Sequence, residues 1–188
     1  CQLNLFFKKY FMTSYYTAST PVAPTYETLE GNITADVCIV GAGYTGLSSA
    51  LHLAKRGYKV VILEAETVGF GASGRNGGHV GTGQRMEQQD IEAKFGRETA
   101  HCLWNMSLEA VDTVRNLTLE NNIECDLKYG NVHFAHKRVY CEELEEDIEF
   151  FTNRYNFNEL EYIPKNRIKE VIGSEAYYGA QWNKAALH

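Results

Sequence analysis

Apolar and polar positions follow one another in blocks over the first third of the chain. Residues 36–40 form a short apolar run, which is typical of a buried parallel strand. Apolar positions then recur three and four residues apart over 44–56, which predicts an amphipathic helix that ends at Gly57. Residues 59–63 form a second apolar run. The order strand, glycine-rich turn, helix, strand defines a βαβ unit and predicts an α/β fold with a parallel sheet.

The pattern beyond this unit predicts a mixed set of helices and strands. A long helical pattern covers 87–121, and we expect it to break at Gly96. Further elements are expected as a strand at 126–135 with a bend at Gly130, a helix at 138–154, a short helix from Pro164 to about 172 and a strand at 177–187. Residues 12–35 are polar and hold two of the three prolines, so they are interpreted as a lead-in arm.

Composition excludes several classes of partner. The chain has 188 residues and a net charge of -6, which argues against nucleic acid as the main partner. No apolar run approaches the ~18 residues that span a bilayer, and the N-terminus lacks a signal-peptide pattern, so we predict a cytoplasmic protein without a membrane partner. The five cysteines show no metal-ligand spacing, which predicts no metal site. Met12 is the first methionine, so residues 1–11 are interpreted as non-native upstream sequence.

A GxGxxG motif joins the first strand to the first helix. Gly41 permits a tight turn, Gly43 leaves room for a pyrophosphate and Gly46 allows close packing of helix on sheet. The start of a helix favours a phosphate group, because its backbone N–H groups are free to donate. The amides assigned to this role belong to Ala42, Tyr44 and Thr45. The alternative is a glycine turn in an ordinary α/β protein.

An acidic residue closes the second strand of the unit. Glu64 follows Gly41 by 23 positions, where a carboxylate can accept hydrogen bonds from the hydroxyl groups of a ribose. A carboxylate there also disfavours a 2′-phosphate, which argues against NADP. The next residue, Ala65, is placed beside the adenosine. These features predict a dinucleotide site.

A second glycine-rich stretch, GASGRNGG at 71–78, favours FAD over a nicotinamide dinucleotide. Arg75 can place a cationic donor near a pyrophosphate, and Ser73 and Asn76 offer a hydroxyl and an amide. Small residues keep the backbone N–H groups accessible to a ligand, and these are Ala72, Gly74, Gly77 and Gly78. A mobile surface loop and an NAD-dependent dehydrogenase are the alternatives at this point.

The two motifs together resemble the superfamily of FAD-dependent amine and amino-acid oxidases, which includes D-amino acid oxidase, glycine oxidase and sarcosine oxidase. The likeness lies in DVCIVGAGYTGLSSALHLAKRGYKVVILEAE followed by GFGASGRNGG. A narrower resemblance, to the gamma-glutamylputrescine oxidases, lies in SYYTAS at 14–19, GYTGLSSALHLA at 43–54 and GASGRNGG. The resemblance covers about 14–188 and is strongest over 36–83.

The resemblance implies a fold, a cofactor and a reaction. The fold would be a Rossmann-like FAD-binding βαβ core with inserted helices, followed by the start of a mixed α+β substrate domain. The corresponding boundaries are an arm at 1–35, the first part of the FAD-binding domain at 36–125 and a truncated substrate domain at 126–188. FAD would accept a hydride from a C–H bond beside an amine nitrogen, the imine would hydrolyse to an aldehyde, and O2 would be reduced to H2O2.

The same resemblance bounds the expected activity. Members of the superfamily are about twice as long, so we interpret the chain as an N-terminal fragment without turnover of its own. No catalytic side chain is assigned, because most would lie beyond residue 188. A glycine, sarcosine or D-amino-acid oxidase and a non-catalytic FAD-binding fragment stay open as alternatives.

We expect His79 to line the flavin cavity or to face solvent, and we do not expect it to bind flavin covalently. The acidic run at 142–149 is interpreted as a solvated helix face, and the alternative is a surface that attracts a cationic polyamine.

Overall fold

The computed structural model describes residues 14–19 and 25–188. The segment 1–11, predicted to be upstream sequence, lies outside the described residues. Contacts divide the chain into two units, residues 1–77 and 78–188. The boundary between the FAD-binding domain and the substrate domain, placed after residue 125 from the sequence, stays a prediction. Within the described ranges, no helix combines the length and the apolar character that crossing a bilayer requires.

The first unit contains the predicted βαβ motif. Its elements are helix α1 (Tyr15–Ser19), strand β1 (Val37–Val40), helix α2 (Tyr44–Lys55), strand β2 (Val60–Leu63) and a 3-10 turn (Ala72–Gly74). The two strands pair in parallel, with Val37 opposite Val60 and Val40 opposite Leu63. This confirms the predicted α/β class. Helix α1 was not predicted within the arm; Ser14 Oγ accepts the Thr17 N–H over 3.1 Å and so caps its first turn.

Helix α2 packs on the sheet through small side chains. Gly46 lies against β1, because a Cβ on it would sit 3.4 Å from Cγ2 of Ile39. Leu47 and Leu51, on the apolar face predicted from the sequence, are each 37% exposed. The predicted apolar face of this helix is therefore only partly covered by the described residues.

The second unit consists of helices around a three-stranded sheet. Its elements are α3 (Gln88–Phe95), α4 (Arg97–Glu120), β3 (Tyr129–Ala135), α5 (Val139–Tyr155), β4 (Leu160–Pro164), a 3-10 helix (Lys165–Glu170) and β5 (Gly179–Leu187). Strand β5 lies in the middle and pairs antiparallel with β3 and β4. The predicted break at Gly96 is confirmed. Strand β4 was missed, and the short helix expected from Pro164 is a 3-10 helix.

Two apolar clusters hold the second unit together. Ile163, Ile168 and Ala180 form a buried core beside the sheet. Trp104 of α4 is 3% exposed and packs on Phe151, with ring centroids 4.5 Å apart, and on Phe157 at 5.1 Å. Buried aromatic rings of this size contribute strongly to packing, so Trp104 is a core residue that joins α4 to α5 and the segment after it.

Candidate cofactor site

The turn between β1 and α2 is tied to the end of β2. Gly41 has a φ of 97°, a left-handed conformation that favours glycine. Its N–H donates to the carbonyl oxygen of Leu63 over 2.8 Å. Ala42 follows and is 2% exposed. The turn is therefore hydrogen-bonded to the end of β2, and its second residue is buried.

Gly46 makes the close approach that the motif predicts. A Cβ on Gly46 would lie 2.0 Å from the carbonyl oxygen of Gly41. Any other residue at this position would therefore force the backbone to move. The first turn of α2 therefore lies directly over the glycine turn. This geometry directs the start of the helix toward the carboxyl ends of the strands, where ligands bind in open α/β sheets.

Glu64 lies at the same place, immediately after β2. Its Oε2 accepts the Ala42 N–H over 2.8 Å, and its Oε1 accepts the Glu66 N–H over 3.0 Å. The hydrogen bond from Ala42, followed by that from Glu66, lowers the pKa of the Glu64 carboxyl below its usual value. The exposed carboxylate is therefore ionised at neutral pH. The sequence predicted its position, but not that it would bind the backbone of the glycine turn.

The second glycine-rich stretch folds back onto the start of α2. Ser73 Oγ accepts the Tyr44 N–H over 3.0 Å. A Cβ on Gly43 would lie 3.0 Å from that same Oγ, so the gap between turn and loop fits glycine closely. Asn76 Nδ2 donates to the Tyr44 hydroxyl over 3.1 Å and to the Ser73 carbonyl over 3.0 Å. The two motifs meet at Tyr44.

Arg75 contacts Phe70 within the second glycine-rich segment. Its Nε donates to the carbonyl oxygen of Phe70 over 2.8 Å, and its guanidinium carbon lies 5.1 Å from the centre of the Phe70 ring. The role predicted for Arg75 near a pyrophosphate stays a prediction. Phe70 was not predicted as a partner of Arg75, because an aromatic residue inside a glycine-rich stretch carries no pattern that marks it as one.

Gly69, two residues before the GASGRNGG stretch, supports the loop. The N–H of Gly69 donates to the Ala42 carbonyl over 2.9 Å, and a Cβ on Gly74 would lie 2.3 Å from the Gly69 carbonyl oxygen. Gly69 was not predicted as a site residue. Its only signal was its place at the start of the glycine-rich stretch.

Most predicted site residues lie within the first unit. The remaining ones there are Thr45 in the first turn of α2, Ala65 after Glu64, Ala72 and Gly74 in the 3-10 turn, and Gly77 at the end of the unit. Gly78 is the first residue of the second unit. His79 also belongs to the second unit, where its ring lies 5.1 Å from that of His188.

The residues present fit a dinucleotide that carries a ribose and a pyrophosphate. At the start of α2 the Tyr44 N–H donates to the Ser73 hydroxyl oxygen and the Ala42 N–H donates to Glu64, so the contacts predicted between these two amides and a phosphate stay a prediction. The ionised Glu64 offers acceptors that suit a ribose diol. Fold and site together define an α/β protein of the dinucleotide-binding class.

Comparison with known proteins identifies the family. Residues 36–188 match the family described as DAO, FAD dependent oxidoreductase. The chain belongs to this family, whose members use FAD. This confirms the resemblance and the cofactor predicted from the two glycine motifs, and the NAD-dependent alternative is not supported.

Relatives with assigned names are similar along most of the chain. Gamma-glutamylputrescine oxidoreductase of Escherichia coli is 40% identical over 176 residues, which is 94% of this chain and 41% of the relative. The probable oxidoreductase OrdL of Haemophilus influenzae is 36% identical over 154 residues, which is 82% of this chain and 36% of the relative. The chain thus spans about two fifths of the length of these proteins.

Solved structures show the same fold. Glycine oxidase of Geobacillus kaustophilus superposes with a TM-score of 0.63 at 22% identity, over 82% of this chain and 40% of that one. An L-amino acid deaminase of Proteus myxofaciens gives a TM-score of 0.65 at 20% identity, over 88% of this chain and 36% of that one. At these identities the likeness concerns the fold alone.

Proposed function

We propose that the first unit binds the ADP half of FAD, and that the chain belongs to an enzyme that oxidises a CH–NH bond of an amine. The observation that carries the proposal is the pairing of an ionised Glu64 with the glycine turn at the carboxyl ends of two parallel strands. An acid in this position accepts hydrogen bonds from ribose hydroxyls in dinucleotide-binding folds.

Each part of the site has a role in this proposal. Gly41, Gly43 and Gly46 form the turn that admits the pyrophosphate. The Tyr44 N–H already donates to the Ser73 hydroxyl oxygen, which occupies the place that a phosphate oxygen would take at the start of a helix. Ala65 lies beside the adenosine, and the segment 72–78 extends toward the pyrophosphate and the flavin ring.

The reaction follows from the cofactor and from the relatives. FAD supplies a ring that accepts a hydride from the carbon beside an amine nitrogen. The overall change that we propose oxidises the amine to an imine while O2 is reduced to H2O2, and water then hydrolyses the imine to an aldehyde and ammonia. The relative of Escherichia coli, named for gamma-glutamylputrescine, supports a gamma-glutamylated amine as the substrate. The similar fold of glycine oxidase keeps an amino-acid substrate as the second candidate.

The experiment compares substrates on the product of the complete gene, purified with FAD. Gamma-glutamylputrescine, glycine, sarcosine and D-alanine are supplied separately under air, and both aldehyde and H2O2 are measured. Aldehyde and peroxide formed in equal amounts from gamma-glutamylputrescine support the proposal. Peroxide from glycine, sarcosine or D-alanine, without peroxide from gamma-glutamylputrescine, supports the second candidate. Bound flavin without product from any amine contradicts both and supports a non-catalytic FAD-binding protein.

A further inference from the structure

The side chain of Tyr44 makes a contact that the glycine motif does not require. The GxGxxG pattern fixes the glycines and leaves the residue at position 44 open. Tyr44 is the first residue of α2 and is 65% exposed, so packing does not hold its ring in place. Its hydroxyl oxygen nevertheless accepts a hydrogen bond from Nδ2 of Asn76 over 3.1 Å. The two residues are 32 positions apart, and the bond joins the start of the helix to the second glycine-rich stretch.

Tyr44 holds this stretch at two points. Its backbone N–H donates to Ser73 Oγ over 3.0 Å, and its hydroxyl oxygen accepts from Asn76. Any residue except proline can supply the first bond. The second needs an oxygen at the far end of a long, rigid side chain, which a tyrosine provides. One bond alone leaves the segment 73–76 free to rotate about it, whereas two bonds set its orientation on the helix.

The polar side chains of the loop also support its own backbone. Asn76 Nδ2 donates to the carbonyl oxygens of Ala72 over 3.1 Å and of Ser73 over 3.0 Å. Arg75 Nε donates to the carbonyl oxygen of Phe70 over 2.8 Å. The amide of Asn76 thus connects the phenol at the start of α2 to the backbone of the 3-10 turn. A change at the phenol is transmitted to this backbone through one side chain.

The loop lies too close to the glycine turn to occupy many positions there. A Cβ on Gly43 would lie 3.0 Å from Ser73 Oγ, and a Cβ on Gly74 would lie 2.3 Å from the Gly69 carbonyl oxygen. A segment that must be ordered during binding reduces the affinity for a ligand, and a segment that is already placed does not. The contacts that place this loop therefore bear on any ligand of the turn.

We infer that Tyr44 is a positioning residue of the FAD site: through Asn76, its hydroxyl holds the segment 72–76 against the start of α2 in the conformation that receives the cofactor. This inference rests on the function proposed above for the first unit. When the loop leaves this conformation, the apparent affinity falls in proportion to the competent fraction of the protein. The loss of one neutral hydrogen bond changes such an equilibrium by about twofold to tenfold.

The first measurement is the affinity for FAD of the product of the complete gene, freed of flavin. Tyr44→Phe removes the hydroxyl and keeps both the ring and the backbone N–H. We expect FAD binding, followed by flavin fluorescence, to weaken by about twofold to tenfold. Tyr58→Phe is the matched control, at a tyrosine of the same unit that is 50% exposed, and it should leave the affinity unchanged. Equal affinities in the two variants and the unaltered protein overturn the inference and leave the FAD assignment standing.

Limited proteolysis without FAD separates positioning from direct contact with the cofactor. Trypsin cleaves after Arg75, inside the loop, and the cleavage rate follows the population of the open loop. We expect faster cleavage there in Tyr44→Phe and an unchanged rate after Arg56, the residue that follows α2. Weaker FAD binding with unchanged cleavage after Arg75 overturns the positioning role, because the hydroxyl then acts on FAD itself. Equal acceleration at both sites also overturns it, because the whole unit is then less stable.

A double-mutant cycle tests whether Tyr44 acts through Asn76. Asn76→Ala removes the amide, and far-ultraviolet circular dichroism verifies the fold of each variant. We expect Tyr44→Phe to weaken FAD binding in the unaltered background and to have no further effect beside Asn76→Ala. Losses that multiply in the double variant overturn the inference. An unaltered protein that binds no FAD overturns the proposed function together with this inference.

Discussion

The hydroxyl oxygen of Ser73 accepts a hydrogen bond from the backbone N–H of Tyr44 over 3.0 Å. These residues are 29 positions apart and belong to the two glycine-rich motifs of the sequence. The bond satisfies a donor that the first turn of a helix leaves free. The second motif therefore completes the start of α2, and the two motifs form one structural element.

Ser73→Ala removes this acceptor. We expect the free energy of unfolding to fall by about 1 kcal/mol, as for the loss of a helix cap. Urea denaturation followed by circular dichroism measures the change. Ser48→Ala is the matched control, because Ser48 lies exposed on the same helix and alanine favours helix formation. Equal losses in both variants would show that the Ser73 bond does not stabilise α2.

Gly46→Ala places a Cβ where the Gly41 carbonyl oxygen lies, at a separation of 2.0 Å. The backbone must move, so we expect a loss of about 3 kcal/mol or more in the free energy of unfolding. Gly71→Ala is the control within the second glycine motif, since a Cβ there meets no atom within 4 Å. Thermal melts of both variants test the expectation. A Gly46→Ala melt that matches the unaltered chain would refute the close packing of α2 on the turn.

Part of this site follows from the sequence, because local patterns determine it. The turn, α2 and the place of Glu64 depend on glycine spacing and on apolar runs within about 30 residues. The bond of Glu64 to Ala42 and the packing of Gly69 beside the turn depend on the folded chain. Short patterns do not encode them.

Strand β4 of the second unit is likewise an element that short sequence patterns do not encode. It is five residues long, contains Glu161 and ends at Pro164, so it lacks an apolar strand pattern. Its partner is β5, and Leu160 lies opposite Asn183, far along the chain. Pairing with β5 determines this element, and local sequence patterns do not encode that pairing.

The hydroxyl of Tyr162 makes the free energy of unfolding depend on pH in the alkaline range. Burial, followed by the hydrogen bond with the Cys141 thiol, raises the pKa of the Tyr162 hydroxyl to about 12. The unfolded chain loses this proton near pH 10, so the folded state holds more protons between about pH 10 and 12. Stability is therefore full below about pH 10 and is lost as the pH rises toward 12.

Urea titrations at a series of alkaline pH values measure this loss. In Tyr162→Phe we expect a shallower decline of stability over the same interval. Tyr129→Phe, in the exposed part of β3, should leave the decline as it is. A decline of the same slope in Tyr162→Phe would assign the effect to other groups.

The affinity of the chain for FAD, measured by the quenching of flavin fluorescence, tests the central claim most directly. Glu64→Ala removes the carboxylate that faces the glycine turn. Glu66→Ala removes an exposed carboxylate two residues later, and the backbone N–H of residue 66, which donates to Glu64, is kept. Hydrogen bonds to a charged group contribute about 1.5–3 kcal/mol. We therefore predict binding at least about tenfold weaker for Glu64→Ala at pH 7 and unchanged binding for Glu66→Ala. Equal affinity in the unaltered chain and in Glu64→Ala would contradict the assignment of this site to FAD.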